Sequence, residues 1–478
     1  MTSARHVAIG IAGATALFFM SGGVSQRIVA VAETSMQPRK ATLAIVGGTL
    51  IDGHGGTPLD QAVVLVTENR ISAIGTRASL PVPPGTPVVD AGGMTILPGL
   101  IDGHVHLEIL GHLDYAYWWK TYGPRFEEIM TISSKIAIES GVTSVIDMWA
   151  PPEPLAAVRR KIANGEIPGP RIFASVGAIV HSAANAGTTL GRETYTWKAA
   201  TPEEARAHAE RMIALGADVI NMMDGSTAEQ IQAVVEVARP KGIKVTGVAS
   251  SPADLVSRVK AGQQALDHMG GLSVGRAVAL DPDAVRAMQE TRASVVATAA
   301  AGVRQHRALR QLDFYVNNRP MTLLVPPAIW TDIRRTLLHP ERIPRYGQGV
   351  RQADIDDNAA RFKQIVAAGI PVRVGTDAGA MYTLRSEAMW EEMEVFAEYG
   401  LPPQEVIAAA TRRNAEWLGR LNELGTVTEG KLADIIVVDG NPLVSMRDLR
   451  HVAAVIKDGK VLKGAAAVAK DRASGEIH

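Results

Sequence analysis

Two histidines, His104 and His106, close an apolar run that reads Ile-Leu-Pro-Gly-Leu-Ile-Asp-Gly-His-Val-His-Leu-Glu over residues 96–108. In a strand, successive side chains point to opposite faces, so residues i and i+2 share one face. Two imidazoles at that spacing converge on one point, which is what a chelated metal needs. Alone, His-x-His is a weak signal; at the end of an apolar strand it is a much stronger one. Cysteine is absent, which excludes disulfides, thiolate metal sites and a cysteine nucleophile.

A histidine pair does chemistry only where a fold holds it. Downstream, short apolar runs at 141–148, 171–176, 217–222, 243–248, 265–268, 294–298 and 372–377 alternate with helical segments. Several helices carry start signals. Thr201-Pro-Glu-Glu204 and Ser226-Thr-Ala-Glu229 fit a capping box, and Ser251-Pro252 puts proline at the first helical position. With the strand that ends at His106, the count is eight. The pattern predicts an α/β fold of parallel βαβ units closed into a (β/α)8 barrel. Strand-like runs at 42–50, 61–75 and 86–90 precede it, and others at 435–439 and 452–462 follow.

Residues 301–355 break the rhythm with His306, Tyr315, Trp330, His339 and Tyr346 and little alternation. A connection this long inside a compact domain usually has a function or is poorly ordered. We read it as a lid at the C-terminal face of the barrel, with Tyr315 as a substrate contact. Arg304, Arg307 and Arg310, spaced by three, read as a solvated helix face. The aromatic cluster Tyr115, Tyr117, Trp118 and Trp119 fits a pocket wall or helix packing equally well.

Active sites of such barrels lie at the C-terminal strand ends. Those ends carry Asp147 on the second strand, His181 after the third, Asn221 and Asp224 at the fourth, Val248 at the fifth, His268 at the sixth and Asp377 at the eighth. His181, Asn221 and Asp224 are the expected substrate contacts.

The stretch around the two histidines resembles the amidohydrolase superfamily, in which His-x-His ends the first barrel strand. Gly369-Ile-Pro-Val-Arg-Val-Gly-Thr-Asp-Ala-Gly379 resembles that family's eighth strand, and Gly425-Thr-Val-Thr-Glu-Gly-Lys-Leu-Ala-Asp-Ile-Ile-Val-Val-Asp439 its C-terminal signature. The similarity is to the imidazolonepropionase-like branch, which includes prolidase-type peptidases, and covers residues 42–465. It implies that 42–95 and 424–465 join in a small composite β-sandwich beside a catalytic barrel of 96–423, and that the chain forms a homo-oligomer. It also implies site roles for His268 and Asp377.

That branch usually carries a carboxylated, metal-bridging lysine on the fourth strand and a histidine ligand on the fifth. Asn221 and Val248 stand at those positions here. The departure argues against a binuclear site and leaves one divalent ion, zinc by preference, with manganese or iron as alternatives. His104, His106 and Asp377 form one ligand set, with His268 as a fourth ligand or a substrate contact. In the other arrangement His104, His106 and His268 are the ligands, and Asp377 is the general base outside the shell.

Acidic and basic residues balance at 49 each without a basic block, which gives no support to a nucleic-acid partner and points to a small-molecule substrate. At the N-terminus, Arg5 and His6 precede an apolar run over 7–20, and Ala30-Val31-Ala32 offers a small-x-small cleavage site. This is the layout of a signal peptide over 1–32, and it predicts a periplasmic or secreted chain that is free of the membrane after cleavage. The leading expectation is a metal-dependent amidohydrolase that cleaves an amide or ester bond of a small molecule or peptide. The alternatives are a lyase, isomerase, decarboxylase or cyclase that uses His/Asp acid–base chemistry on the same scaffold, and a binding protein without catalysis.

Overall fold

The apolar runs become eight parallel strands in the computed structural model: Leu100–Val105, Val142–Ala150, Arg171–Val176, Val219–Met222, Lys244–Gly247, Ala265–Asp267, Ser294–Val296 and Val372–Arg373. The structure describes residues 40–183, 191–275, 277–342, 350–380 and 382–464, and the backbone of 468–470. The leader expected at 1–32 lies outside them, as does Tyr346.

Three groups of strands pair in parallel: first to third, fourth with fifth, and sixth to eighth. Backbone hydrogen bonds join the groups. The Asp218 N–H donates to the Ala174 carbonyl, Gln264 to Val245 and Gly103 to Val374, at 2.9, 2.9 and 3.0 Å. The ring is therefore closed, as the alternation predicts.

The seam between the first and eighth strands is unusually tight. A Cβ at Gly103 would meet the Val374 carbonyl at 2.7 Å, and one at Gly375 would meet the His104 nitrogen at 2.8 Å. Only glycine permits this approach. Buried Asp102 locks the seam by accepting from the Thr376 N–H at 3.0 Å and the Thr376 hydroxyl at 2.6 Å.

The helix starts follow the sequence signals with small shifts. Ser251 caps Pro252–Lys260 by accepting from the Asp254 N–H. Thr201 caps Pro202–Ala214, but the Glu204 carboxylate reaches back to the Ala200 N–H rather than to the cap. The box expected at Ser226 and Glu229 lies one residue later, between Thr227 and Gln230. Thr227 and Gln230 have the same spacing, and Ser226 instead donates to the Met223 carbonyl.

Both ends of the described chain contribute to one branched nine-stranded sheet. Leu43–Leu50 pairs with Pro87–Asp90 through its first half and with Thr95–Pro98 through its second. Thr95–Pro98 in turn pairs antiparallel with Ile435–Val438. Ile45, Val64, Ile96, Ile435 and Ile456 form its apolar core.

The insertion differs from its sequence reading. Residues 301–342 hold the α-helices Ala301–Arg310, Leu312–Val316, Arg319–Leu324 and Pro327–Leu338. Ile329, Ile333 and Leu337 repeat every four residues, a stripe that fits a half-buried helix. With Trp330 they join the cluster that buries Leu113, Trp118 and Tyr122. Arg304 is fully buried rather than solvated, and it binds the protein's own Glu392 at 2.8 Å. Only Arg310 of that trio is exposed. No helix among the described residues is long and apolar enough to cross a membrane.

Candidate metal centre

The seam brings the first and eighth strand ends together. The Asp377 N–H donates to the His104 carbonyl at 2.8 Å, and the His106 N–H to the Ala378 carbonyl at 2.9 Å. As a result His106 Nε2 lies 3.2 Å and His104 Nε2 3.8 Å from Asp377 Oδ1. Ligand atoms of these three residues all lie within 4.8 Å of one another. The His268 ring centre is 5.1 Å from that of His104. The structure thus gathers His104, His106, Asp377 and His268 at one barrel mouth.

Three strand ends there are backbone outliers. His268, Thr298 and Asp377 have φ of 65°, 43° and 57°, a region that non-glycine residues enter at a cost and that often marks function. Thr298 gives no signal in the sequence, yet its position decides the state of His268. Its hydroxyl donates to the Ala297 carbonyl at 2.8 Å and lies 2.7 Å from His268 Nδ1. With that one proton given to the carbonyl, the oxygen accepts from Nδ1–H, the tautomer of His268 whose Nε2 lone pair is free.

His104 has a similar partner that sequence reading missed. Asp267 lies 3.3 Å from His104 Nδ1 and accepts from the Thr246 hydroxyl at 2.9 Å. A carboxylate behind a histidine is the usual orienting device of metal sites. An i−1 neighbour of a candidate ligand is the one sequence clue that points to it.

The protonation preferences fit a cation site. Burial lowers the His104 pKa, but Asp267 and Asp377 more than reverse this, and the net shift is upward. Burial lowers His268 and His106, helped by the charges of His104 and Arg192 respectively. Burial would raise Asp377, but the hydrogen bond and charge of His106, with His104 and His268, hold it well below the usual carboxylate range. Two neutral imidazoles and an ionised carboxylate are donors suited to a divalent metal, and His104, drawn towards its charged form by the carboxylates around it, must give up that proton to join them.

A second set lies beside His106, where ligand atoms of Glu108 and Asp147 come within 4.8 Å of it and of each other. Its charges are already engaged. Buried Arg192 binds Glu108 at 3.0 Å, and Asp147 accepts from the Leu107 and Trp149 N–H groups. Burial, then the Glu108 charge, pushes Asp147 up to about 7.

The other expected contacts are spread out. Asn221 is buried at the fourth strand end; its Nδ2 donates to the Met148 carbonyl at 2.9 Å, while Oδ1 has no partner among the described residues. Val248 is half-buried just past the fifth strand. His181 sits half-buried at a strand end, where its Nδ1 accepts from the Ala183 N–H, and Asp224 is exposed on the following rim loop. Tyr315 is not at the metal cluster: it is buried among the inserted helices, and its hydroxyl donates to Glu391 at 3.0 Å. Tyr115 and Trp119 line a separate cavity of about 1090 Å³ that none of the four central residues reaches, whereas His268 and Thr298 line one of about 290 Å³.

Comparison with known proteins agrees with this geometry. The amidohydrolase family model matches residues 95–464. Ochratoxinase of Aspergillus niger is 24% identical over 472 residues, covering 90% of this chain and 88% of its own. A Xaa-Pro dipeptidase structure with bound methionine in its active site superposes with a TM-score of 0.68 at 24% identity, covering 88% of this chain and 100% of its own. Phenylurea hydrolase B gives a TM-score of 0.70 at 21% identity, with 89% and 97% covered. A family match over most of the chain, with the histidine pair and the aspartate meeting at the barrel mouth, places this protein in the amidohydrolase family.

Proposed function

We propose that the protein is a metal-dependent hydrolase of an amide or ester bond in a small molecule or peptide, working with a single divalent ion, zinc by preference. The convergence of His104, His106 and Asp377 within 4.8 Å carries this proposal. When bound, the ion polarises the scissile carbonyl and makes water a nucleophile near neutral pH. The remaining work falls to the chain's own side chains. Asp267 fixes the ring of His104, and Thr298 presents the His268 Nε2 lone pair to ion or substrate. Asp377, which the neighbouring histidines hold ionised, serves as a ligand or, outside the shell, as the base that takes the proton of the water. The idle Oδ1 of Asn221 accepts an N–H of the substrate, with His181 and Asp224 on the outer rim. The inserted helices act as a lid over the mouth, in which Tyr315 supports the lid through Glu391.

The same proposal places the mature chain outside the cytoplasm, exported by residues 1–32, as a homo-oligomer. Its test is hydrolysis of Xaa-Pro dipeptides and phenylureas, the substrates named for two structural relatives, before and after chelation. Turnover is expected to vanish on chelation and to fall by about 10²–10⁴ in Asp377→Asn. Turnover that survives complete metal removal would contradict the proposal.

A further inference from the structure

The place of the Asp377 carboxylate depends on a backbone angle. With φ at 57° the residue lies in the left-handed region, which costs any side chain something and aspartate less than most. The balance is therefore small, and one strong hydrogen bond can decide it. A peptide plane is rigid and turns as a unit, so φ of a residue turns with the plane before it. Turning the Thr376–Asp377 plane over would relieve the strain and swing the carboxylate away from His106.

That plane is held at both edges. On one, the Asp377 N–H donates to the His104 carbonyl at 2.8 Å. On the other, the Thr376 carbonyl accepts from Arg304 Nη1 at 2.8 Å. The Arg304 guanidinium is fully buried and is itself fixed. Its Nη2 donates to the Ala388 carbonyl at 2.9 Å and to Glu392 at 2.8 Å, and its Nε lies 3.3 Å from Glu391 Oε2. These three partners share the helix Arg385–Glu398. Arg385, at the start of that helix, donates from Nη2 to the Ala378 carbonyl at 2.9 Å and to the His106 carbonyl at 2.7 Å. A hydrogen bond with an ionised donor is roughly twice as strong as a neutral one, so the contact from Arg304 is the stronger of the two that hold the plane.

We propose that Arg304 is the positioning residue of Asp377: by holding the Thr376 carbonyl it locks the peptide that keeps the carboxylate turned toward His104 and His106. It acts through the backbone alone. Arg304 belongs to the first helix of the insertion, Ala301–Arg310, so the seated insertion also sets the geometry of the centre. The role of Asp377 at the metal rests on the single-ion reading above; the hold on its backbone does not.

Arg304→Met/Glu392→Gln removes the contact without leaving a buried charge unpaired. In a crystal structure of its metal-free form, the Thr376–Asp377 peptide is expected to turn over, with φ of Asp377 negative and the carboxylate parted from His106. In cobalt(II) titrations its visible band should shift, and affinity should fall by about tenfold. Arg307→Ala is the control: it takes from the same helix an arginine that pairs with Glu398 at 3.3 Å, and it should move neither readout. If the double variant fails to fold, Arg304→Lys, which keeps the charge but lacks the planar fork that spans Thr376 and Glu392, should turn the peptide in the same way. An unturned peptide in the folded variant, or a cobalt band that Arg307→Ala shifts equally, would overturn the proposal. A parent that takes up no cobalt would contradict the single-ion reading instead, and the crystal comparison would still decide this one.

Discussion

The two sides of the barrel mouth have been kept very differently. Where the first, sixth, seventh and eighth strands end, two of the three histidines have a partner behind the ring, Asp267 for His104 and Thr298 for His268, and Asp102 and Thr376 are clamped across the seam. Arg304 adds a second clamp by donating to the Thr376 carbonyl at 2.8 Å and binding Glu392, which accepts from the Ala299 and Ala300 N–H groups. Where the fourth and fifth strands end, Asn221 and Val248 offer no imidazole or lysine, and Asn221 ties its amide to a neighbouring carbonyl. One side holds the candidate ligand set, and the other presents an amide and an apolar side chain. A mouth divided this way can hold one ion and leave the vacated half to substrate.

Among the residues that stand behind the ligands, the largest effect is expected from Asp267→Asn. Removing the carboxylate behind His104 should weaken metal affinity by about 10–100-fold with the fold intact by circular dichroism, as measured by competition with a chromogenic chelator. Unchanged affinity would mean that Asp267 is merely structural. The converse change sharpens the comparison from the other side. Asn221→Lys/Val248→His should raise bound metal from about one toward about two ions per chain. Metal analysis that stays at one would show that the vacated half has lost more than its ligands.

The smallest effect concerns pH. Burial pushes buried Glu392 up to about 7 from an ordinary 4.5, with Arg304 and two backbone N–H groups opposing only partly. The folded state then holds this proton more tightly than the unfolded state. Its contribution is complete below about pH 4.5 and is lost as pH rises through about 7. In Glu392→Gln the fall in melting temperature between pH 5 and 8 should flatten by a few degrees in scanning calorimetry; an unchanged slope would remove Glu392 from the account. Asp147, shifted in the same direction, keeps part of the slope in either protein.

Much of this was legible in the sequence because it rests on local pattern. The period of two around His104 and His106 requires a strand, and the alternation of apolar runs with capped helices requires parallel units. The partners were harder to read. Thr298 and Glu392 act on His268 and Thr376 only because distant segments meet at a strand end, and no spacing along the chain records that meeting. Asp267 was visible as a neighbour of His268, yet it serves His104 across the barrel. The inserted helices were missed for another reason: only Pro327–Leu338 carries the four-residue apolar stripe, and the two helices before it are too short to show a period. Arg304 was misplaced because periodicity tells which residues share a face, not whether that face meets water or Glu392.

The central claim is a single ion at the supported half of the mouth. Its most direct test is transition metal per chain in protein purified without added metal and without a polyhistidine tag, beside His104→Ala/His106→Ala. The account predicts about one zinc, manganese or iron per chain in the parent and none in the variant. A well-folded parent that stays empty when metal is offered, or that holds two ions, would contradict it.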